Sequence, residues 1–578
     1  MMAHGWINDL LRSYKTTVRS EEVQIQGLSD DYIKFIRFAQ YRVETTGHGV
    51  VAMITNSGYL DGPLFRDMRR ELLRTFDHIA IVNLHGDARK RVAAPAGSRD
   101  ENVFDIQQGV AIVICARVAE CEPDCDLRYR DLWGGREDKY AHLGSRSIDR
   151  DDWASLAPKA PNFLFIPHDA GVDTEWDEAA PISHIFRGDV RAGRKLPFYG
   201  AGLATRHDTF AVAFEPEELL ANVKSFLAAG ATEDELRRRF HLCTTAHWSY
   251  EDARRTLTLE GARQAMTRLL YRPFDWRYTA YTPQVVAEMR PAIMGQLTRP
   301  NLALVTTRRS TGRAFTNFLV CNTLVEYKAG SHDRNTQVFP LYLYSTPDRE
   351  QQTVVVSDDR RPNLSKDFVE EFAGKLGMRF VPDGRGDLQE SFGPEDIFDY
   401  IYAVFHAPTY RERYAEFLKI DFPRVPLTSD PALFRDLVAL GGRLVALHLM
   451  EAEELDTPLT SFPEPGDNLV EKGHPKYVPP GEVPPGEAAP AARGRVYINR
   501  TRRRADAPPA QYFDGVPPEV WEFQVGGYQV LDKWLKDRRG RKLTPEDLRH
   551  YQRIVVALTR TRELMAAIDA RIEEWPIQ

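Results

Sequence analysis

The sequence predicts an α/β fold at its amino end, about half of a doubly wound sheet, followed by a large α+β region with a helical carboxyl end. Three observations predict it. Near-continuous apolar strands alternate with amphipathic helices from about Asp30 to Ala116, the pattern of a sheet covered by helices on both faces. That alternation is only half as long as a complete doubly wound domain and gives way, beyond about residue 130, to short aromatic-rich strands mixed with helices. Helical periodicity then returns near the carboxyl end.

The elements follow in order. Asp31 to Val43 carries apolar groups at helical spacing (Tyr32, Phe35, Ile36, Ala39, Val43), Gly47 and Gly49 stop it, and Val50 to Ile54 reads as a buried strand. Asp61 and Pro63 sit where an N-cap and a first-turn proline belong, ahead of a stripe of Phe65, Met68, Leu72 and Phe76. A second strand runs from Ile79 to Leu84 and a third from Val110 to Ala116. Short strands are predicted at Phe163 to Ile166, Leu302 to Thr306 and Phe339 to Tyr344, and a helix at Pro394 to Phe405. Eight prolines fall between 461 and 490, which predicts a loop or linker there. Gly526-Gly527 precedes a helix from Tyr528 to Asp537, and Gly540 ends it. Thr544-Pro545-Glu546-Asp547 opens a long helix with Leu548, Tyr551, Val555, Leu558, Met565, Ile568 and Ile572 on one face, and the two helices are expected to pack together. The predicted domains are 1–135, 136–460, a Pro-rich then Arg-rich segment 461–510, and a helical part 511–578.

Composition excludes whole function classes. A chain of 578 residues with 43% hydrophobic content has material for several cores, which rules out wholesale disorder. Lys plus Arg total 76 against 83 Asp plus Glu, a net charge of −7, so nucleic acid is not held by bulk charge and any such site is a local basic patch. No basic then apolar leader and no apolar run of spanning length is visible, and five cysteines make no disulfide framework; the expected compartment is the cytosol. The close pair Cys121 and Cys125 would need further ligands to hold zinc, and the nearest candidates, His241, Cys243 and His247, fit no knuckle spacing, so no metal is predicted.

Three segments, Gly49-Val-Val-Ala-Met-Ile-Thr-Asn-Ser-Gly-Tyr-Leu60, Met68-Arg-Arg-Glu-Leu-Leu73 and Glu101-Asn-Val-Phe-Asp-Ile-Gln-Gln-Gly-Val-Ala-Ile-Val-Ile114, occur in series. In that order they resemble the C-terminal half of an adenine-specific DNA methyltransferase. Four more segments resemble the specificity region of Type ISP restriction-modification enzymes: Tyr271-Arg-Pro-Phe-Asp-Trp-Arg-Tyr278, Phe339-Pro-Leu-Tyr-Leu-Tyr344, Asp396 to Pro426, and Trp521 to Lys536. The resemblance covers nearly the whole chain. It implies double-stranded DNA as the partner and Phe104 as the aromatic that stacks on the flipped target adenine, a base that loses stacking worth about a few kcal/mol when extruded. A core phenylalanine ahead of an apolar strand is the alternative reading of Phe104.

The resemblance also implies what lies elsewhere. S-adenosylmethionine needs a glycine-rich turn after a first strand, and the adenine amino group an Asn-Pro-Pro-aromatic loop. Neither motif is in the sequence; the Pro-Pro pairs have other flanks, and Gly200-Ala-Gly202 lacks a strand-turn-helix context. The expectation is therefore no cofactor on this chain alone, with S-adenosylmethionine brought by an N-terminal methyltransferase, helicase and nuclease part in cis or in trans. The second expectation is a stand-alone, non-catalytic DNA-binding specificity subunit or a degenerate remnant.

Two basic segments are the DNA-contact candidates. Arg493, Arg495, Arg500, Arg502, Arg503 and Arg504 fall in a stretch without acids, interleaved with Tyr497 and Asn499, a composition suited to phosphate clamps or guanine edges and equally to a solvated loop. Lys533, Lys536 and Arg538 begin a second stretch, suited to backbone phosphates or to a helix end favoured by its dipole. Gly202 to Asp208 resembles a Gly-Ile-x-Thr-x-Arg-Asp stretch with His207 in the arginine place, and no role is assigned to it. His406 reads as a packed core histidine.

Overall fold

The computed structural model of the protein describes residues 5–21, 25–87, 100–118, 125–145, 153–167, 170–187, 198–310, 315–344, 360–482, 493–500 and 510–577. The chain divides between Thr174 and Glu175 into two compact units, rather than near residue 135.

The first unit is built on one five-stranded sheet. Helix α1 (Asp31–Thr46) ends at Gly47, whose φ of +81° suits only glycine, and feeds β1 (Gly49–Asn56). Helix α2 (Arg66–Thr75) feeds β2 (His78–His85), and β3 (Val110–Arg117) returns antiparallel between β1 and β2. Strand β4 (Asp126–Asp131) adds parallel to β2, α3 (Arg136–Ser145) follows, and β5 (Ala154–Leu156) closes the far side. The order β1-β3-β2-β4-β5 leaves β1 at an edge of the described sheet, and α3 and β5 are the elements that carry the unit past residue 135.

One face of this sheet is covered as its period-two alternation predicts. Ile79, Ile81, Val113, Cys115 and Leu127 pack with Ile33, Ile36 and Val43 of α1 and Met68 and Leu72 of α2. On the other face Val82 and Ile112 meet Leu143 of α3 at one end, while Val50 and Ile54 of β1 stay 70% and 55% exposed. Helices on both faces are thus realised only at that end, among the described residues. The stripe of α1 also turns relative to the sequence reading: Ile33, Ile36, Gln40 and Val43 face inward, and Phe35 is 60% exposed.

The second unit holds several small sheets and a helical core. Strands β6 (Gly200–Ala201), β9 (Ala303–Thr306), β10 (Leu319–Cys321) and β12 (Gln337–Pro340) form a sheet in the order β10-β9-β12-β6. Strands β7 (Met266–Arg272), β8 (Asp275–Ala280) and β11 (Leu324–Val325) form another, ordered β11-β7-β8. In the first unit, Phe163 to Ile166 is not a strand; Phe163 has a φ of +48°, outside the β region.

Helix α4 (Pro394–His406) is buried on all sides, because Gly441 and Gly442 of α5 (Pro431–His448) let it approach: a Cβ on Gly441 would strike the Asp399 carbonyl. Three polar side chains in this core form a relay. Tyr402 Oη donates to His448 Nδ1 at 2.5 Å, His448 Nε2 lies 2.8 Å from Thr561 Oγ1, and Thr561 donates to the Ala557 carbonyl at 2.7 Å.

The proline-rich stretch proves structured in part. Strand β13 (Lys476–Val478) pairs with β14 (Gly494–Tyr497), and β14 with β15 (Tyr512–Val516), so the linker expected over 461–510 contributes two strands of a three-stranded sheet. Its prolines sit before and after β13, where no ladder N–H is needed. Helix α6 (Val530–Lys536) and the long α7 (Pro545–Arg571) pack as expected, with the Trp534 and Tyr551 rings 5.4 Å apart and a Thr544–Asp547 capping box starting α7. No helix of the described residues is long and apolar enough to cross a membrane.

Candidate nucleic-acid interface

Phe104 stands on the loop between β2 and β3, at the carboxyl end of β2, and is 44% exposed rather than part of the core. The loop is held from below. Asn102 Oδ1 accepts the Phe104 N–H at 2.9 Å, while Asn102 Nδ2 donates to the carbonyls of Gly86 and Gln108 at 3.0 and 2.7 Å. Gly86, with φ +75°, lies so close to Asn102 that no Cβ fits there. From α3, the buried Lys139 donates to Asp100 Oδ1 at 2.6 Å and to the carbonyls of Leu84 and Glu101 at 2.7 and 2.6 Å. Arg136 Nε donates to the Asn102 carbonyl at 2.9 Å, and Tyr140 Oη to that of Val103 at 2.6 Å. Ile106 is 47% exposed on the same loop. Nearby, at the ends of β2 and β4, the His85 and Trp133 rings stack and His85 Nε2 lies 2.6 Å from Asp131. The result is an apolar surface on a rigid support.

The arginine-rich candidates separate. Arg493 and Arg500 are exposed, and Arg500 Nε lies 3.5 Å from Glu471. Arg495, on the central strand β14, is turned inward: its Nε donates to Asp514 at 2.9 Å and its guanidinium lies 4.5 Å over Tyr512. It is spent on the fold, a correction to its reading as a DNA contact. Arg502, Arg503 and Arg504 lie outside the described residues, as does Cys121.

In the second stretch Lys533 and Lys536 project from α6, paired along the helix with Asp537 and Asp532. Arg538 is corrected as well. It is 5% exposed, stacks 3.5 Å over Trp534 and donates to Asp275 Oδ1 at 3.0 Å. Burial pushes the Asp275 carboxyl up, but Arg538 and Arg277 overcome it and hold it at about 2. This ion cluster ties α6 to β8 and leaves Arg538 no reach to a phosphate.

The Gly202 to Asp208 stretch is structural at most positions. A Cβ on Gly202 would lie 2.6 Å from the Val325 carbonyl, so this glycine serves close packing rather than a cofactor turn. His207 is buried against Trp248, with Nε2 3.0 Å from the Val285 carbonyl, and burial lowers its pKa. His406 is likewise a core residue, 2.7 Å from the Tyr402 carbonyl. What sequence reading missed is Arg206, which faces out with φ +64° and shares Glu288 with Arg290, itself at φ +53°. Residues 82 positions apart give no local signal of such a pairing.

Gly200 belongs to strand β6 and Gly202 to a packing contact, so Gly200-Ala-Gly202 forms no cofactor turn.

Three solved structures share the fold: the ATP-dependent Type ISP restriction-modification enzyme LlaBIII bound to DNA (TM-score 0.66, 20% identity), a DrdV–DNA complex (0.63, 20%), and a nuclease-deletion mutant of the Type ISP enzyme LlaGI in complex with a DNA substrate mimic (0.62, 19%). They align over 100%, 98% and 100% of this chain but over only 36%, 54% and 51% of their own. The chain thus spans about a third to a half of the length of these proteins. No curated protein matches it. The family described as the Type ISP C-terminal specificity domain matches residues 195–567, and the chain belongs to that family.

Proposed function

We propose that the chain recognises duplex DNA at a short asymmetric sequence, as the specificity part of a restriction-modification enzyme. The observation that carries this is the match of residues 195–567 to the Type ISP specificity domain. The DNA-bound state of the three solved relatives supports it.

We further propose that the first unit is the target-base half of an S-adenosylmethionine-dependent adenine-N6 methyltransferase. In support, β3 runs antiparallel between β1 and β2, which share one direction, and Phe104 sits exposed where those strands end. Among the described residues strand β1 has an unpaired edge, and its Val50 and Ile54 are exposed, a surface that asks for further sheet. The cofactor half, supplied in cis or in trans with the helicase and nuclease parts, would add its strands there and bring S-adenosylmethionine and the Asn-Pro-Pro loop.

The test is selection from a randomised duplex pool by the purified chain, with affinities of the recovered sequences measured against salt. Enrichment of one asymmetric motif, with log affinity falling linearly with log salt, is the expected result. Binding without sequence preference and without salt dependence overturns the proposal.

A further inference from the structure

We infer that a surface of the second unit, running from Arg290 through Arg206 and Lys328 to Lys533, is a track for one phosphodiester backbone of duplex DNA. The inference rests on the proposal that this chain binds DNA, and it names residues outside the arginine-rich segment.

The line begins at a shared carboxylate. Arg206 donates to Glu288 Oε1 from Nε at 2.8 Å and from Nη2 at 2.5 Å, and Arg290 pairs with Oε2. The arginine side chains are 42% and 50% exposed, whereas that of Glu288 is 12% exposed. Two fixed cations on one carboxylate leave a local surplus of positive charge, and a guanidinium has five N–H donors, of which Glu288 takes two from Arg206 and one from Arg290. Both arginines hold left-handed backbone, a conformation that costs a residue with a Cβ about 1 kcal/mol or more. It persists because Ala204 and Glu288 exchange backbone hydrogen bonds at 3.0 and 2.9 Å and fix both ends. Strain retained to aim two exposed arginines the same way is expected at a binding surface and gains nothing in a solvated loop.

The line continues over aromatic rings. The Arg206 guanidinium lies 5.3 Å and Lys328 Nζ 5.5 Å from the Tyr327 ring. Tyr528 Oη donates to the Lys328 carbonyl at 3.1 Å, and Lys533 Nζ lies 6.0 Å from the Tyr528 ring. The rings buttress the cationic stems, so the charges are presented at set positions. The carboxylates along the way are engaged: Glu326 by Arg272 at 2.6 Å, Asp537 by Arg277 and Lys533, and Asp208 by the Tyr271 hydroxyl at 2.7 Å, while Asp333 lies 3.6 Å from Arg334. In a chain of net charge −7 such a line is a local exception. Cations locked by carboxylates and rings position a duplex rather than read its bases, which makes phosphate the ligand.

The test uses the full chain and a fluorescein-labelled duplex, with affinity measured by anisotropy at several salt concentrations. The variants are Arg206→Gln with Arg290→Gln, and separately Lys328→Gln, whose side chain holds no carboxylate among the described residues. Arg255→Gln and Arg263→Gln, exposed elsewhere on the same unit, are the controls. Removing a phosphate contact lowers the slope of log affinity against log salt by about one per cation. We expect that loss in both test variants and a wild-type slope in the controls. If the double variant fails to fold, as its circular dichroism will tell, Lys328→Gln decides alone. Wild-type slopes in the folded test variants overturn the track and leave DNA binding standing; no binding by the wild-type chain overturns both.

Discussion

Lys139 Nζ lies 2.6 Å from Asp100 Oδ1 with the lysine wholly buried, and this pair holds the loop that presents Phe104. Replacing the lysine by methionine leaves the Asp100 carboxylate with the Gly86 and Gly134 N–H groups but without its cation, and removes donors from the Leu84 and Glu101 carbonyls. Lys139→Met is expected to destabilise the first unit by about 3–5 kcal/mol, the usual cost of breaking a buried pair from one side. Urea unfolding followed by circular dichroism checks it; a loss below about 1 kcal/mol removes the clasp role.

Phe104 itself behaves differently because its ring is half-exposed. Phe104→Ala is expected to change stability by no more than about 0.5 kcal/mol. Once the cofactor half is supplied, the same substitution should slow methyl transfer to the target adenine by about tenfold, since stacking on an aromatic is worth about 1–3 kcal/mol per base. Equal rates for both proteins would assign the ring no part in holding the base.

Arg538 is predicted to matter to folding and not to DNA. Arg538→Gln leaves Asp275 with Arg277 as its remaining arginine and uncovers Trp534, at an expected cost of about 3–5 kcal/mol. Measured on the folded fraction, the salt slope of DNA binding should equal that of the wild type. A slope lowered by about one would return Arg538 to the interface.

The buried histidines set an acid limit. Burial, followed by the charge of Arg411, pushes the His448 pKa down to about 3; burial, Arg411 and His448 push His406 well below its ordinary value. A histidine depressed in the folded state contributes its full stability above the unfolded pKa of about 6.5 and loses it as pH falls towards the folded value. Stability should therefore decline from about pH 6.5 downwards, with each histidine adding about 1.4 kcal/mol per pH unit across that window. His406→Asn should make the decline shallower by one proton's worth in denaturant titrations at stepped pH; an unchanged slope would mean that His406 is already protonated in the fold.

Gly441 is required by contact and not by backbone conformation. Gly441→Ala sets a methyl group against the Asp399 carbonyl and must push α4 from α5, an overpacking expected to cost about 1–3 kcal/mol or more. Thermal unfolding checks this, with Gly374→Ala as the comparison: its site inside the helix Lys366–Leu376 has open space, so the substitution should stabilise by up to about 1 kcal/mol.

Three of the five strands and two of the helices of the first unit were legible in the sequence because each obeys a local rule: apolar continuity for β1, β2 and β3, and helical spacing for α1 and α2. So were the capped start of α7 and the buried course of α4. The direction of α1 was harder, since Phe35 satisfies the same spacing as Ile33 and only the sheet beneath decides which of them is covered. The proline-rich segment misled for a related reason. Proline forbids ladder bonds at its own position but not three residues of strand between two prolines, and the partner of β13 lies in a separate segment.

By itself the sequence determined the order of elements, the resemblance to a specificity domain, and the presence of basic segments. Only the tertiary structure decided which basic groups are available, because a guanidinium is claimed by whichever carboxylate the fold brings to it. Asp275 reaches Arg538 across 263 positions and Glu288 reaches Arg206 across 82, and burial makes the first pair a structural cluster while exposure leaves the second facing water. Charge is written in the sequence, but its dielectric surroundings and its partners are properties of the fold.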